Sequence, residues 1–174
     1  LMYSGRDRRF YTAIVYDKCS WIGETVELNL GGNLSAGVRD KEDGGWYNTT
    51  TGYYWRKGNI ENPTPRAYHN CQVALHFNIV RLGEAYMNLA EAYLLKHDVP
   101  NAVKALNMTR TIHGGLSEST AATEEEAWTD YIRERNCELT NEGGDIYYSY
   151  LRWGKYGGYA NHGRDAGDII YDLD

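Results

Sequence analysis

Three acidic residues, Asp40, Glu42 and Asp43, stand in a glycine-rich stretch of the chain. Two carboxylates held about 5 to 10 Å apart are what glycoside hydrolysis requires. Adjacent acids on a loop are ordinarily solvated, and nothing rigid nearby in sequence would tune one of them as an acid and another as a base. His69, Cys71 and His76 are zinc-ligand types, but their spacing fits no standard zinc pattern and no CxxC knuckle accompanies them. Asp165, Asp168, Asp172 and Asp174 offer oxygens to a hard cation without the ordered loop of an EF-hand. There is no G-x-S-x-G elbow and no phosphate-cradling P-loop. These groups assign no catalytic residue, no metal and no cofactor.

Aromatic residues point elsewhere. The chain has 16 Tyr and 5 Trp against 2 Phe. Tyr and Trp join a flat apolar face to a hydrogen-bonding edge, which suits half-buried packing and also suits ligands such as sugars that are themselves part apolar and part hydroxyl. The segment Gly44-Gly45-Trp46-Tyr47-Asn48 places two adjacent aromatics after a glycine pair, inside a loop longer than the usual connection. There Trp46 and Tyr47 offer a stacking platform, with Asn48 and Asp43 able to bond hydroxyls. The competing reading is that Trp46 anchors the loop on the core. Trp21, in an earlier turn, is a second candidate of the same kind.

A net charge of -6 with acids and bases interspersed, and no basic tract, argues against a nucleic-acid partner, because phosphate binding needs clustered Lys and Arg. No apolar run approaches the roughly 20 residues of a spanning helix, and the first residues lack a signal-peptide pattern. The three cysteines (Cys19, Cys71, Cys137) cannot all pair within the chain and read as buried thiols.

The elements that must carry these residues fall into two halves. Residues 1–65 read as extended and loop-rich, with Arg9 to Tyr16, the alternating Thr25 to Leu30 and Tyr53 to Lys57 as strands or extended pieces. Residues 66–174 read as helical. A first helix begins near Val73 and aligns Leu82, Tyr86, Leu89 and Tyr93 on one stripe. Asp98 caps a second helix, which tolerates Pro100 in its first turn and stops at Gly114-Gly115. The two form a hairpin of tetratricopeptide type. Thr123 and Glu126 make a capping box for a third helix, on which Trp128, Ile132, Arg135 and Leu139 share a face. Its charges, Arg133, Glu134, Arg135 and Glu138, read as i,i+4 pairs that stabilise the helix rather than as acid-base machinery.

Four stretches in order resemble the SusD/RagB family of bacterial cell-surface nutrient-binding lipoproteins. Ser4-Gly5-Arg6-Asp7-Arg8-Arg9-Phe10 is similar to S-G-x-D-P-R-F, with Arg8 where the family has proline. Thr51-Gly52-Tyr53-Tyr54-Trp55-Arg56-Lys57 is similar to T-G-Y-x-x-R-K. Arg81-Leu82 through Leu89-Ala90-Glu91-Ala92-Tyr93, then Ala105-Leu106-Asn107 with Arg110, and Gly115-Leu116, resemble the family's helix pair. Ile132 to Leu139, Glu142-Gly143 and Arg152-Trp153-Gly154-Lys155 resemble its closing signature.

The resemblance implies a mostly α, SusD-like fold: the helix hairpin, a charged C-terminal helix, and an extended region with a few short strands. It implies that Arg135, Glu138, Glu142, Arg152 and Trp153 support the fold. It further implies a non-enzymatic outer-membrane protein, lipid-anchored through an N-terminal segment that precedes this chain. Such a protein captures oligosaccharides, without a cofactor, and closes as a lid over a SusC-like TonB-dependent transporter. On that footing the chain reads as the C-terminal fragment of a longer protein. Two rivals are a helical-repeat scaffold that binds only protein, and a glycosidase carried on the loop at Asp40 to Asp43.

Overall fold

The computed structural model describes residues 2–29, 32, 33, 49, 51–59 and 78–153. The chain divides into two compact units, residues 1–79 and 80–174. Among the described residues the protein is mostly helical, with short strands confined to the first unit.

In the first unit, Asp7 caps helix α1 (Arg8–Ala13), its carboxylate accepting from the Arg9 amide and pairing with the Arg9 guanidinium at 2.6 Å. The stretch expected to be extended from Arg9 is therefore helical as far as Ala13. Only then does the backbone enter strand β1 (Ile14–Val15). Arg8 occupies the first helical position, where a proline would also fit because that amide has no intrahelical partner.

Strand β1 pairs antiparallel with β4 (Tyr54–Trp55), Ile14 opposite Trp55 and Val15 opposite Tyr54. Strands β2 (Ser20–Trp21) and β3 (Glu24–Thr25) form a hairpin closed by Ile22 and Gly23, both at positive φ. Two such residues are the geometry that matches hairpin twist, but a β-branched Ile22 at φ 51 is strained. The strand expected to run to Leu30 ends early, because side chains take its amides: Asn33 accepts from Glu27 N and Asp17 from Leu28 N, both at 2.8 Å. Val15, Cys19 and Val26 form this unit's buried core, with Tyr16, Trp21, Leu28 and Tyr54 packed on it.

The second unit holds α2 (Leu82–Leu95), α3 (Val99–Ile112), α4 (Glu124–Glu138) and α5 (Asp145–Arg152). Helices α2 and α3 form the expected hairpin, with Asp98 capping Asn101 N and Gly115 at φ 64 after the helix end. Helix α4 starts on the Thr123–Glu126 capping box with both reciprocal bonds in place. The start expected near Val73 lies outside the described residues; the first helix described in this unit begins at Leu82.

The stripe expected to face the core on α2 is displaced. Leu82 is 69% and Leu89 43% exposed, whereas Gly83, Met87, Ala90, Glu91 and Leu94 are buried. Glu91 is the cause: its carboxylate turns inward and carries that face with it. Met87, Ala90, Leu94, Ala102, Leu106, Trp128, Tyr131 and Trp153 form the core around it. The Tyr131 ring stands edge-on to Trp128 at 5.5 Å and to Trp153 at 5.8 Å.

Charges on α4 also point inward instead of pairing along the helix surface. Glu134, Arg135 and Glu138 are buried and reach other helices, while exposed Arg133 pairs with Asp130 three residues away. Glu91 accepts from Arg152 Nε at 2.9 Å and Nη2 at 2.8 Å, from Trp153 Nε1 at 3.0 Å and from Tyr131 Oη at 2.5 Å. Arg135 grips Asp145 through Nε at 2.9 Å and Nη2 at 2.5 Å, and donates to Asn88 and to the Tyr131 hydroxyl. A second cluster joins Arg81 to the carboxylates of Glu138 and Glu142, with His113 Nδ1 2.7 Å from Glu138.

Burial pushes the Glu91 carboxyl up, but the hydrogen bonds from Arg152, Tyr131 and Trp153 outweigh it and hold the group below its ordinary 4.5. Burial acts downward on the Arg135 guanidinium, and Asp145 reverses it, so Arg135 stays charged.

Three outcomes follow from this packing. Trp153, 2% exposed, fills the core and serves Glu91, so Trp153→Ala should cost about 3 to 5 kcal/mol, read by chemical denaturation; a fully stable variant would contradict this. Because folding favours the ionised form of Glu91, its contribution is complete above pH 4.5 and drains as pH falls below that value. The melting temperature should therefore drop on acidification, and Glu91→Gln, though less stable at neutral pH, should show a shallower acid slope; an unchanged slope would dissociate Glu91 from it. Ile22→Asn should relieve the left-handed strain and stabilise the first unit by up to about 1 kcal/mol, visible as a higher unfolding midpoint.

Candidate functional site

A cleft of about 420 Å³ in the first unit is lined by Phe10, Ile14, Thr51, Tyr53, Tyr54 and Trp55. That volume lies within the roughly 300 to 1,000 Å³ of small-ligand sites. Phe10 comes from α1, Ile14 from β1, and Tyr54 and Trp55 from β4, so the β1–β4 pairing builds the wall. Beyond the ladder, Arg56 N and Lys57 N both donate to Ala13 O, at 2.8 and 3.2 Å, and Arg56 Nη1 donates to Tyr11 O at 3.2 Å. Asn59 Nδ2 donates to Trp55 O at 2.6 Å.

Successive strand residues point to opposite sides, and here the two aromatics divide accordingly. Tyr54 packs on the buried core of Val15, Cys19 and Val26, while Trp55 remains 47% exposed. The turn before them is set by Gly52 at φ 79 and by Thr49, whose hydroxyl accepts from Thr51 N and Tyr53 N and lies 3.0 Å from the Thr51 hydroxyl. Tyr53 meets Tyr3 edge-on, with the two hydroxyls 3.4 Å apart; that hydrogen bond and then burial push the Tyr3 hydroxyl up to about 12. Phe10, which lines the cleft, packs ring to ring with Tyr3, Tyr11 and Tyr16.

Among the described residues the lining is aromatic, aliphatic and hydroxyl-bearing, a set able to hold a ligand that is part apolar and part hydroxylated. In the second unit the buried acids are engaged: Glu91 and Glu138 as above, and Glu134 as acceptor from the Thr109 hydroxyl at 2.7 Å. Among the described residues, no group of three or more His, Cys, Asp or Glu side chains is placed to hold a metal ion. Nor, among those residues, is any helix long and apolar enough to cross a membrane.

Of the residues singled out from sequence as ligand contacts, Trp46, Tyr47, Asn48 and Asp43 lie outside the described residues, as do Asp40, Glu42, His69, Cys71, His76 and the acidic tail. Trp21 is half-buried on the hairpin and packs against the Val15 core, with its Nε1 enclosed and without a hydrogen-bond partner among the described residues. It does not line the cleft. Arg135, Glu138, Glu142, Arg152 and Trp153 are all brought into the two charge clusters of the second unit. Sequence reasoning passed over the cleft itself. The signal available was Tyr53-Tyr54-Trp55, three successive aromatics in a strand, which must put at least one ring on the outer face.

The SusD family profile matches residues 1–172. Among solved structures, a SusD-like protein from Bacteroides fragilis is 30% identical and superposes with a TM-score of 0.67 over 88% of this chain. The chain spans 29% of that protein's length. No curated protein matches the chain significantly. With a family match across nearly its whole length and a shared fold with a SusD-like structure, the chain belongs to the SusD family.

Proposed function

We propose that this protein is a non-catalytic cell-surface glycan-binding protein that captures oligosaccharide and delivers it to a SusC-like TonB-dependent transporter. The observation that carries the reading is the SusD family match over residues 1–172. Two features of the molecule support it. The buried carboxylates of the helical unit are held by arginines, tyrosine, threonine and histidine, which leaves them as fold determinants and not as an acid-base pair. The cleft of the first unit is concave, and its described lining is aromatic, aliphatic and hydroxyl-bearing. The protein would sit at the outer membrane through a lipid anchor, and capture would shift a lid toward its closed state over the transporter.

Within this reading Trp46 and Tyr47 supply a stacking surface, with Asn48 and Asp43 bonding hydroxyls, while Arg135, Glu138, Glu142, Arg152 and Trp153 keep the helices in place. A second reading, a scaffold that binds protein, is favoured by one observation: Leu82, Ala85, Leu89 and Ala92 expose an apolar, small-residue face along α2.

A glycan-binding screen of the full-length protein separates these. Capture predicts binding to at least one oligosaccharide with no reducing sugar released; hydrolysis of the bound glycan would replace it with the glycosidase reading, and binding to protein alone would favour the scaffold. Trp46→Ala should weaken binding of the glycan so identified by about tenfold to a hundredfold in calorimetry, by the energetics of ring stacking. Its melting temperature should stay within about two degrees of the parent, as for a solvent-facing side chain. Undiminished affinity would remove Trp46 from the contact surface.

A further inference from the structure

We infer that the β1–β4 cleft is a neutral-sugar subsite in which the exposed face of Trp55 stacks on one pyranose ring and the Thr51 and Tyr53 hydroxyls bond its rim. The assignment rests on the glycan-capture reading and names a contact residue other than Trp46. Trp55 is nearly half exposed on a strand whose backbone is held on both sides: by the ladder to Ile14, by the amides that follow it bonded to Ala13, and by Asn59 on its own carbonyl. Fixing a large apolar ring at the surface gains nothing for the core, yet it lowers the ordering cost for whatever binds there.

The lining chemistry selects the occupant. Phe10, Ile14 and Trp55 are apolar, and the hydroxyls belong to Thr51, Tyr53 and Tyr54. A ligand matching that set has an apolar face and a hydroxylated edge, which describes a neutral pyranose. Among the described residues of the lining none carries a positive charge, so that wall offers a uronate, sulfate or phosphate no ion-pair partner.

The test uses the intact protein and four probes: cellohexaose, maltohexaose, xylohexaose and hexagalacturonate. Calorimetry should find a neutral hexasaccharide that binds at least tenfold more tightly than hexagalacturonate. Trp55→Ala should weaken that binding roughly ten- to a hundredfold, and Trp55→Phe, which keeps a ring, should retain most of it. Should the alanine variant fold poorly, 5-fluorotryptophan in the otherwise unaltered protein gives a direct readout: the Trp55 fluorine resonance, assigned through Trp55→Phe, should shift on saturation. A resonance that stays put while the sugar binds, affinity unchanged in a folded Trp55→Ala, or preference for the galacturonate would overturn the subsite and leave capture standing. Absence of binding to all four probes, together with no hit in the wider glycan screen, would overturn both.

Discussion

The inward face of α2, and the way α4 and α5 meet it, depends on one buried carboxylate. Glu91 projects from the inner face of α2 and accepts from Tyr131 on α4, Arg152 at the end of α5 and Trp153 just after it. Three helices thus converge on two oxygen atoms. Such a set gives little net stability relative to a well-packed apolar core, but taking away one partner strands the others, at about 3 to 5 kcal/mol. The group therefore acts as a geometric specification. It fixes which face of α2 looks inward, and with it the position of Met87, Ala90 and Leu94.

The same logic extends along α4. Arg135 ties that helix to Asp145 at the start of α5, and Glu138 receives Arg81 from the residue before α2 and His113 from the end of α3. Gly83 is buried beside this second cluster, where a Cβ would run into the Glu138 carboxylate and the Arg81 guanidinium. A motif that looks like a solvent-facing charged helix is thus the internal fastening of four helices. The recognition surface proposed above lies in the other unit, where the described residues lining the cleft are mostly aromatic.

Much of the fold was legible because its signals are local. Asp98, Thr123 with Glu126, and Gly115 set helix ends by bonds within a few residues, and the structure has each where the pattern implied. What local pattern could not supply was the partner of a charge. Aligning Leu82 and Leu89 on the core-facing stripe follows hydropathy, and it fails because Glu91 turns inward to Arg152, sixty-one residues away, which compensates the carboxylate. Helix α1 was missed for the opposite reason: its six residues are rich in strand-type aromatics, and the Asp7 cap decided the matter. The cleft was hidden because it needs Ile14 opposite Trp55, forty-one residues apart, a pairing made by the β1–β4 ladder.

The proposal assigns two tasks within the chain: charged residues of the helical unit hold structure, and aromatic residues of the first unit are to meet ligand. Hydrogen exchange followed by mass spectrometry, with and without a saturating oligosaccharide, tests that division most directly. The account predicts slowed exchange in peptides covering residues 43–59, and unchanged exchange across α4 and α5. Ligand-induced protection centred on residues 124–153, with none over 43–59, would contradict it.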